Sequence, residues 1–173
     1  MSTYNITNRS SGAIPYETGF KPLEKIIDFA SLGTDTLTGA DIGALVAGDI
    51  VQFLNVGKGT QIDVIQVEVV TAAPNGVSAT GGAAQTVKIL MGDGGSATRY
   101  IGSTGASVSA TAGTVYWGDA STGGTWGSRV AYFYAADGVL QFTVNEAVSK
   151  GIIRIKLMAF NWNQTPSENI VGR

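Results

Sequence analysis

No cysteine and no histidine occur anywhere in the 173 residues. Those absences exclude disulfide frameworks, thiolate nucleophiles, imidazole-ligated metals and every triad that runs through an imidazole base. Charge is scarce as well: Asp, Glu, Lys and Arg make up 14% of the chain, against roughly 25% in ordinary soluble domains. The 11 basic and 13 acidic residues leave a net charge of -2, and neither sign forms a run of more than two residues. A counterion-releasing groove for nucleic acid and a polybasic membrane patch therefore have no electrostatic basis. No apolar stretch approaches the ~20 residues of a membrane-spanning helix. The opening MSTYNITNRSSG has no hydrophobic region of the signal-peptide kind, and the lack of cysteine fits synthesis in a reducing cytoplasm.

What the chain has in excess is glycine, 24 residues, about twice the usual share. The length suits one domain, able to bury roughly 70% of its unfolded surface. Residues 1–22 are polar, broken by Gly12, Pro15, Gly19 and Pro22, and follow neither a helical nor a strand period. They are expected to form an N-terminal arm. Tyr4, Tyr16 and Phe20 give it aromatic anchors, in which disordered tails are poor, so the arm should lie on its own subunit or on a neighbour. The body is expected over residues 23–161 and a C-terminal tail over 162–173.

Leu23 to Ala30 fits both periods, and its short β-branched run favours a strand. Ser31 to Gly48 reads as irregular with one short helical turn. From Ile50 the pattern sharpens. Ile50 to Val56 and Thr60 to Thr71 are strands separated by Gly57-Lys58-Gly59, which predicts a hairpin. Within the second, the apolar set slips from Ile62 and Val64 to Ile65, Val67 and Val69. A slip of one in a period of two requires a bulge or burial on both faces. Gln85 to Met91 carries Val87, Ile89 and Met91 on one face, and Gly92-Asp93-Gly94-Gly95 ends it. Residues 92–128 hold ten glycines and are expected to be a long loop with one or two short strands, around Tyr100-Ile101 and Val115-Tyr116-Trp117. Arg129 to Ala135 is expected to pair with Val139 to Val144 across the hairpin turn Ala136-Asp137-Gly138. Lys150-Gly151 then reverses the chain into Ile152 to Asn161, which completes an expected three-stranded meander and whose Ile153, Ile155, Leu157 and Ala159 mark one buried face. Strands at turn-punctuated intervals, with no long amphipathic helix and no internal repeat, give an all-β sandwich of jelly-roll type.

Candidate chemistry is thin. Val56-Gly57-Lys58-Gly59-Thr60 has the ending of a phosphate loop, which needs a glycine five residues before the Gly-Lys pair and a helix after it. Gln52 stands at the first place and a strand follows, so the segment reads as a turn. Asp93 is one of the several oxygen ligands that a calcium loop spaces out, and it too reads as part of a turn. Glycoside hydrolysis needs only two carboxylates across a groove, and sequence spacing neither supports nor excludes it. Tyr116, Trp117 and Trp126 suit a subunit contact or a sugar-stacking platform, with the contact favoured. Tyr132 and Tyr134 must share one face of their strand. The candidate interface residues are Tyr4, Tyr16, Phe20, Tyr116, Trp117 and Trp126; no catalytic, metal or cofactor-binding residue is assigned.

The run AGDIVQFLNVGKGTQIDVIQVEVVTA (Ala47 to Ala72), the later ILMGDG (Ile89 to Gly94), and AYFYAADGVLQFTV (Ala131 to Val144) followed by IIRIKLMAF resemble small virion proteins of tailed bacteriophages, including head decoration or cement proteins. The resemblance spans about residues 23–160 and rests on strand and turn motifs, with no catalytic signature. It implies a β-sandwich, often a trimer, clipped to the outside of a capsid shell. Its implied partners are further copies of itself and the major capsid protein, with no cofactor, nucleic acid or membrane. Charge density agrees in direction: the few charges are spread over roughly 8,000 Å² of folded surface, and burying strand edges between identical subunits would relieve that poverty. The expectation is a non-enzymatic capsid cement protein on the virion exterior, made in the host cytoplasm. A carbohydrate-binding or fibre module of the virion is the alternative, and a lytic enzyme the third reading.

Overall fold

The alternation of apolar and polar side chains resolves into two stacked sheets. The computed structural model describes residues 1–7, 21–75, 85–118 and 131–161. Through them run β1 (Thr3–Asn5), β2 (Lys21–Asp28), β3 (Gly33–Thr34), β4 (Asp41–Ile42), β5 (Ile50–Val56), β6 (Thr60–Thr71), β7 (Lys88–Asp93), β8 (Ser96–Ser107), β9 (Val115–Trp117), β10 (Tyr132–Phe133), β11 (Gly138–Val144) and β12 (Ile152–Asn161). The first sheet has the order β1-β5-β11-β7-β8; the second has the order β10-β6-β12-β2, with β9 also paired to β6. β3 and β4 form a separate ribbon. This is the all-β, two-sheet sandwich that the strand pattern predicts, consistent with a jelly roll.

Burial follows the period of two. In β12, Ile153, Ile155, Leu157 and Ala159 point inward and are buried, while Arg154, Lys156 and Met158 between them are half-exposed. Val87, Ile89 and Met91 face them from the other sheet, also buried. Phe142 of β11 holds the middle, its ring centroid 6.1 Å from both Phe29 and Phe53. Each such side chain contributes roughly 1.5–3 kcal/mol by leaving water. The slip in β6 is a bulge: the register against β12 shifts between Met158, opposite Val64, and Ala159, opposite Ile62. The extra residue lets Ile62 and Ile65 both reach the core, where both are buried.

The structure corrects the expected strand pairings in several places. β5 and β6 do not form a hairpin; β5 belongs to the first sheet and β6 to the second, so Gly57-Lys58-Gly59 is a corner between sheets. Nor do the described residues of the segment before that turn, 131–135, pair with Val139–Val144. Tyr132 and Phe133 pair with Ile62 and Gln61 of β6, whereas β11 lies between β5 and β7. The two corners run side by side, locked where the Lys58 amide donates to Asp137 Oδ1 at 2.7 Å. β11 and β12 likewise lie in different sheets.

The tight hairpin is β7 with β8 around Gly94-Gly95. β8 is twelve residues long, where the sequence led us to expect a loop with short strands. Residues 31–48 are mostly irregular, as expected, with one helix-like turn closed by the Gly39 amide on Asp35 O at 2.8 Å, and they add the short β3–β4 ribbon, which the sequence did not show. Within the span expected as an arm, residues 1–22, Thr3–Asn5 is an edge strand parallel to β5, with Ile6 buried after it, and Lys21 and Pro22 already belong to β2. Tyr16, Phe20, Trp126 and the expected tail over 162–173 lie outside the described residues.

Candidate functional site

The densest group of polar and titratable side chains sits where the β7–β8 hairpin meets β10. Asp93 ends β7 and is 5% exposed. Its Oδ1 accepts the backbone N–H groups of Gly95 at 2.9 Å and Ser96 at 2.8 Å, which closes the hairpin turn. Its Oδ2 accepts Arg99 Nε at 2.5 Å and the Tyr134 hydroxyl at 3.0 Å. Because the Tyr134 proton is committed to Asp93, the Tyr100 hydroxyl, 2.9 Å away, donates to Tyr134. The Arg99 guanidinium also lies 3.5 Å from the centroid of the Tyr132 ring, and that ring meets Tyr134 edge-on at 4.9 Å. Tyr132 and Tyr134 thus share a face, as the strand period requires, and Phe133 points outward, 48% exposed.

The electrostatics are those of a staple. Burial alone would raise the Asp93 carboxyl, but the donors from Arg99, Tyr134, Ser96 and Gly95 outweigh it and hold the group below its usual range. Burial raises the Tyr134 and Tyr100 hydroxyls far above the ordinary phenol value, so both keep their protons. A carboxylate has about four lone-pair positions, and here four donors fill them. No position is left for a substrate proton, a nucleophilic attack or a metal. Among the described residues, no group of three or more acidic, His or Cys side chains could hold a metal ion. A groove of about 610 Å³ opens beside the staple, lined by Asp93, Tyr132, Tyr134, Asp137 and Val139 among others. Lys58 stands on its inter-sheet corner between two strands, which removes the helix that a phosphate loop requires.

A second candidate is the outer face of the second sheet. One row across it reads Val115, Glu68, Arg154, Ile26, and the next reads Trp117, Gln66, Lys156, Glu24. The charges in the middle neutralise one another: Lys156 Nζ and Arg154 Nη1 lie 3.0 and 3.2 Å from Glu68 Oε2, and Arg154 Nε lies 3.2 Å from Glu24 Oε1. The bond from Lys156 is the largest cause of the lowered Glu68 carboxyl. Apolar groups flank them, with Trp117 47% and Ile26 55% exposed.

The strand alternation separates two residues that the sequence grouped. Trp117 faces out, whereas Tyr116 turns inward and packs against the core. Tyr4 also packs against the core, through β1. Sequence reading missed the Asp93 staple because Arg99, Tyr100 and Tyr134 come to it from other strands. The one local signal was the Asp-Gly-Gly turn itself, with an arginine and a tyrosine a few residues on.

No family model matches the chain, and no curated protein does. Among solved structures it is similar to a chain of the cyanophage Pam1 capsid asymmetric unit, with 16% identity and a TM-score of 0.53 over 88% of this chain and 91% of that one. It is also similar to a chain from the capsid of Ralstonia phage GP4, with 13% identity and a TM-score of 0.58 over 95% and 99% of the two chains. At these identities the likeness is one of fold, and the two-sheet, jelly-roll-like sandwich of this chain is a fold that chains of phage capsids also adopt.

Proposed function

We propose that the chain is a structural, non-enzymatic protein of a bacteriophage virion that binds the outside of the capsid and cements the shell through subunit contacts. The observation that carries this reading is the fold match to chains of two phage capsids, which spans nearly the full length on both sides. The saturated Asp93 carboxylate and the charge-neutralised outer face support it, since both suit a rigid body that binds by surface. A shell under internal pressure fails at its subunit junctions. A clamp that touches several capsid subunits adds contacts that must break together, and such multivalency raises avidity by ~10² to 10⁴. A homotrimer whose partner is the major capsid protein is the form that this reading gives the clamp.

Particles assembled without the protein should form, yet release DNA at lower temperature or under chelator and osmotic stress, and added protein should restore them. The groove beside Tyr132 favours a second reading, a carbohydrate-binding module for attachment to the host surface. Depleted particles as heat-stable as complete ones, but unable to adsorb to cells, would replace the first reading with the second.

A further inference from the structure

The N-terminal strand is held as a bound peptide would be. On one side β1 pairs with β5, Thr3 opposite Ile50, Tyr4 opposite Val51 and Asn5 opposite Gln52. The ladder extends through the Ile50 amide to Ser2 O at 2.8 Å and the Ile6 amide to Gln52 O at 2.9 Å. On its other side the Asn5 amide donates to Asp35 Oδ1 at 2.9 Å, and the Thr36 amide donates to Asn5 O at 2.8 Å. The Ser2 amide donates to Asp49 Oδ1 at 2.7 Å. Asp35 and Asp49 are 3% and 1% exposed, fixed acceptors set at the two ends of a slot. Ile6 fills the apolar end, 4% exposed. The groups that hydrogen-bond the strand from outside it lie between Asp35 and Asn55, thirty or more residues away in sequence. This is strand addition to a sheet edge, the mode by which sheets bind extended peptides.

β1 is also separable. It is the outermost strand of its sheet and, among the described residues, the one strand paired in parallel. Without it, every other ladder of both sheets remains. The thirteen residues 8–20 connect it to β2 in the opposite sheet, and fully extended they reach up to about 45 Å. The slot contacts are identical whichever copy supplies the strand, so the choice between own and neighbouring copy rests on where neighbouring chains begin. An exchanged strand adds a tie between subunits at no loss of contact.

We propose that β1 is such a strand: in the oligomer, residues 1–7 of each copy occupy the slot of a neighbouring copy. This deepens the reading of the protein as a homo-oligomer and rests on it. The absence of cysteine makes the test direct. Thr3→Cys with Ile50→Cys places two thiols on Cα partners of adjacent strands, within the span that a disulfide bridges. Asn5→Cys with Gln52→Cys is a second pair, should the first disturb folding. After oxidation, non-reducing denaturing electrophoresis should show multiples of 17.8 kDa that collapse to the single chain on reduction. Chains carrying Thr3→Cys alone, refolded with chains carrying Ile50→Cys alone, should give a cross-linked dimer. A single-chain band with both thiols consumed would overturn the exchange, and so would thiols left free in both pairs. Light scattering of the unsubstituted protein separates the outcomes: an oligomer with the disulfide inside one chain defeats exchange alone, whereas a monomer defeats the oligomer reading as well.

Discussion

At the scale of single residues, Asp93 shows how a charge in an undercharged protein is used. Its carboxylate joins the hairpin turn, through the Gly95 and Ser96 amides, to the second sheet, through Tyr134. Asp93→Asn removes the ion pair with Arg99 and leaves a buried amide among donors, which should cost about 2–3 kcal/mol at pH 7. The pH dependence has a definite sign. The folded carboxyl lies below its ordinary value of 3.8, so its stabilisation is complete above about pH 4 and is lost as pH falls through the folded value. Urea unfolding at pH 7 and again near pH 3 should show the gap between native protein and Asp93→Asn narrowing. An equal gap at both pH values would mean that the amide's packing, and not the charge, sets the cost. Tyr134→Phe removes the hydroxyl that links Tyr100 to Asp93 and one of the donors that lower the carboxyl, so it should cost about 1–2 kcal/mol at pH 7 and less near pH 3.

Among the strands, the sequence located segments far better than it assigned partners. The ends of β5 and β6 and the inward face of β12 follow from alternation and glycine punctuation alone, and the bulge in β6 is visible as a slip of phase. Pairing was not legible, because a short turn reverses the chain in the same way at a hairpin and at a corner between sheets. What decides is tertiary: the Tyr134 amide bonds to Thr60 O at 2.8 Å, which commits residues 132–134 to the second sheet before the chain crosses to β11. β8 was missed for a different reason. Its buried residues Tyr100, Ile101 and Ala106 stand among Gly, Ser and Thr, too sparse to show a period. β1 is held chiefly by backbone bonds and two carboxylates, which leave no mark in the identity of its residues, and the side-chain contacts of Tyr4 and Asn5 are too few to show a period. At the real hairpin the glycines differ in consequence. A Cβ on Gly92 would run into the Ser96 carbonyl, whereas one on Gly94 would meet nothing within 4 Å. Gly92→Ala should therefore cost about 1–3 kcal/mol or more by forcing β7 and β8 apart, and Gly94→Ala should stay within about 0.5 kcal/mol. Thermal melts of the two variants check this, and equal melts would mean that the hairpin backbone yields easily.

For the whole molecule, what matters is how a body with so few charges meets its partners. Scattered exposed apolar residues are ordinary on a monomer, but Val115, Trp117 and Ile26 flank a patch whose charges already satisfy one another. Such a face gains little from a partner's charges and much from covering Trp117, since aromatic rings at the centre of a desolvated patch carry most of an interface's energy. Exposed ion pairs add only about 0–1 kcal/mol to the fold, so substitutions here separate folding from association. Trp117→Ala should leave the unfolding midpoint nearly unchanged while weakening binding to the capsid, or of copies to one another, at least tenfold, about 1.4 kcal/mol. Because the cluster is neutral within itself, association should also change little between 0.05 and 0.5 M salt, a range (~0.05 to ~0.5 M) over which screening strips long-range attraction between exposed charges. Sedimentation or light scattering across that range measures both effects. A steep loss of binding with salt and an indifferent Trp117→Ala would move the contact off this face.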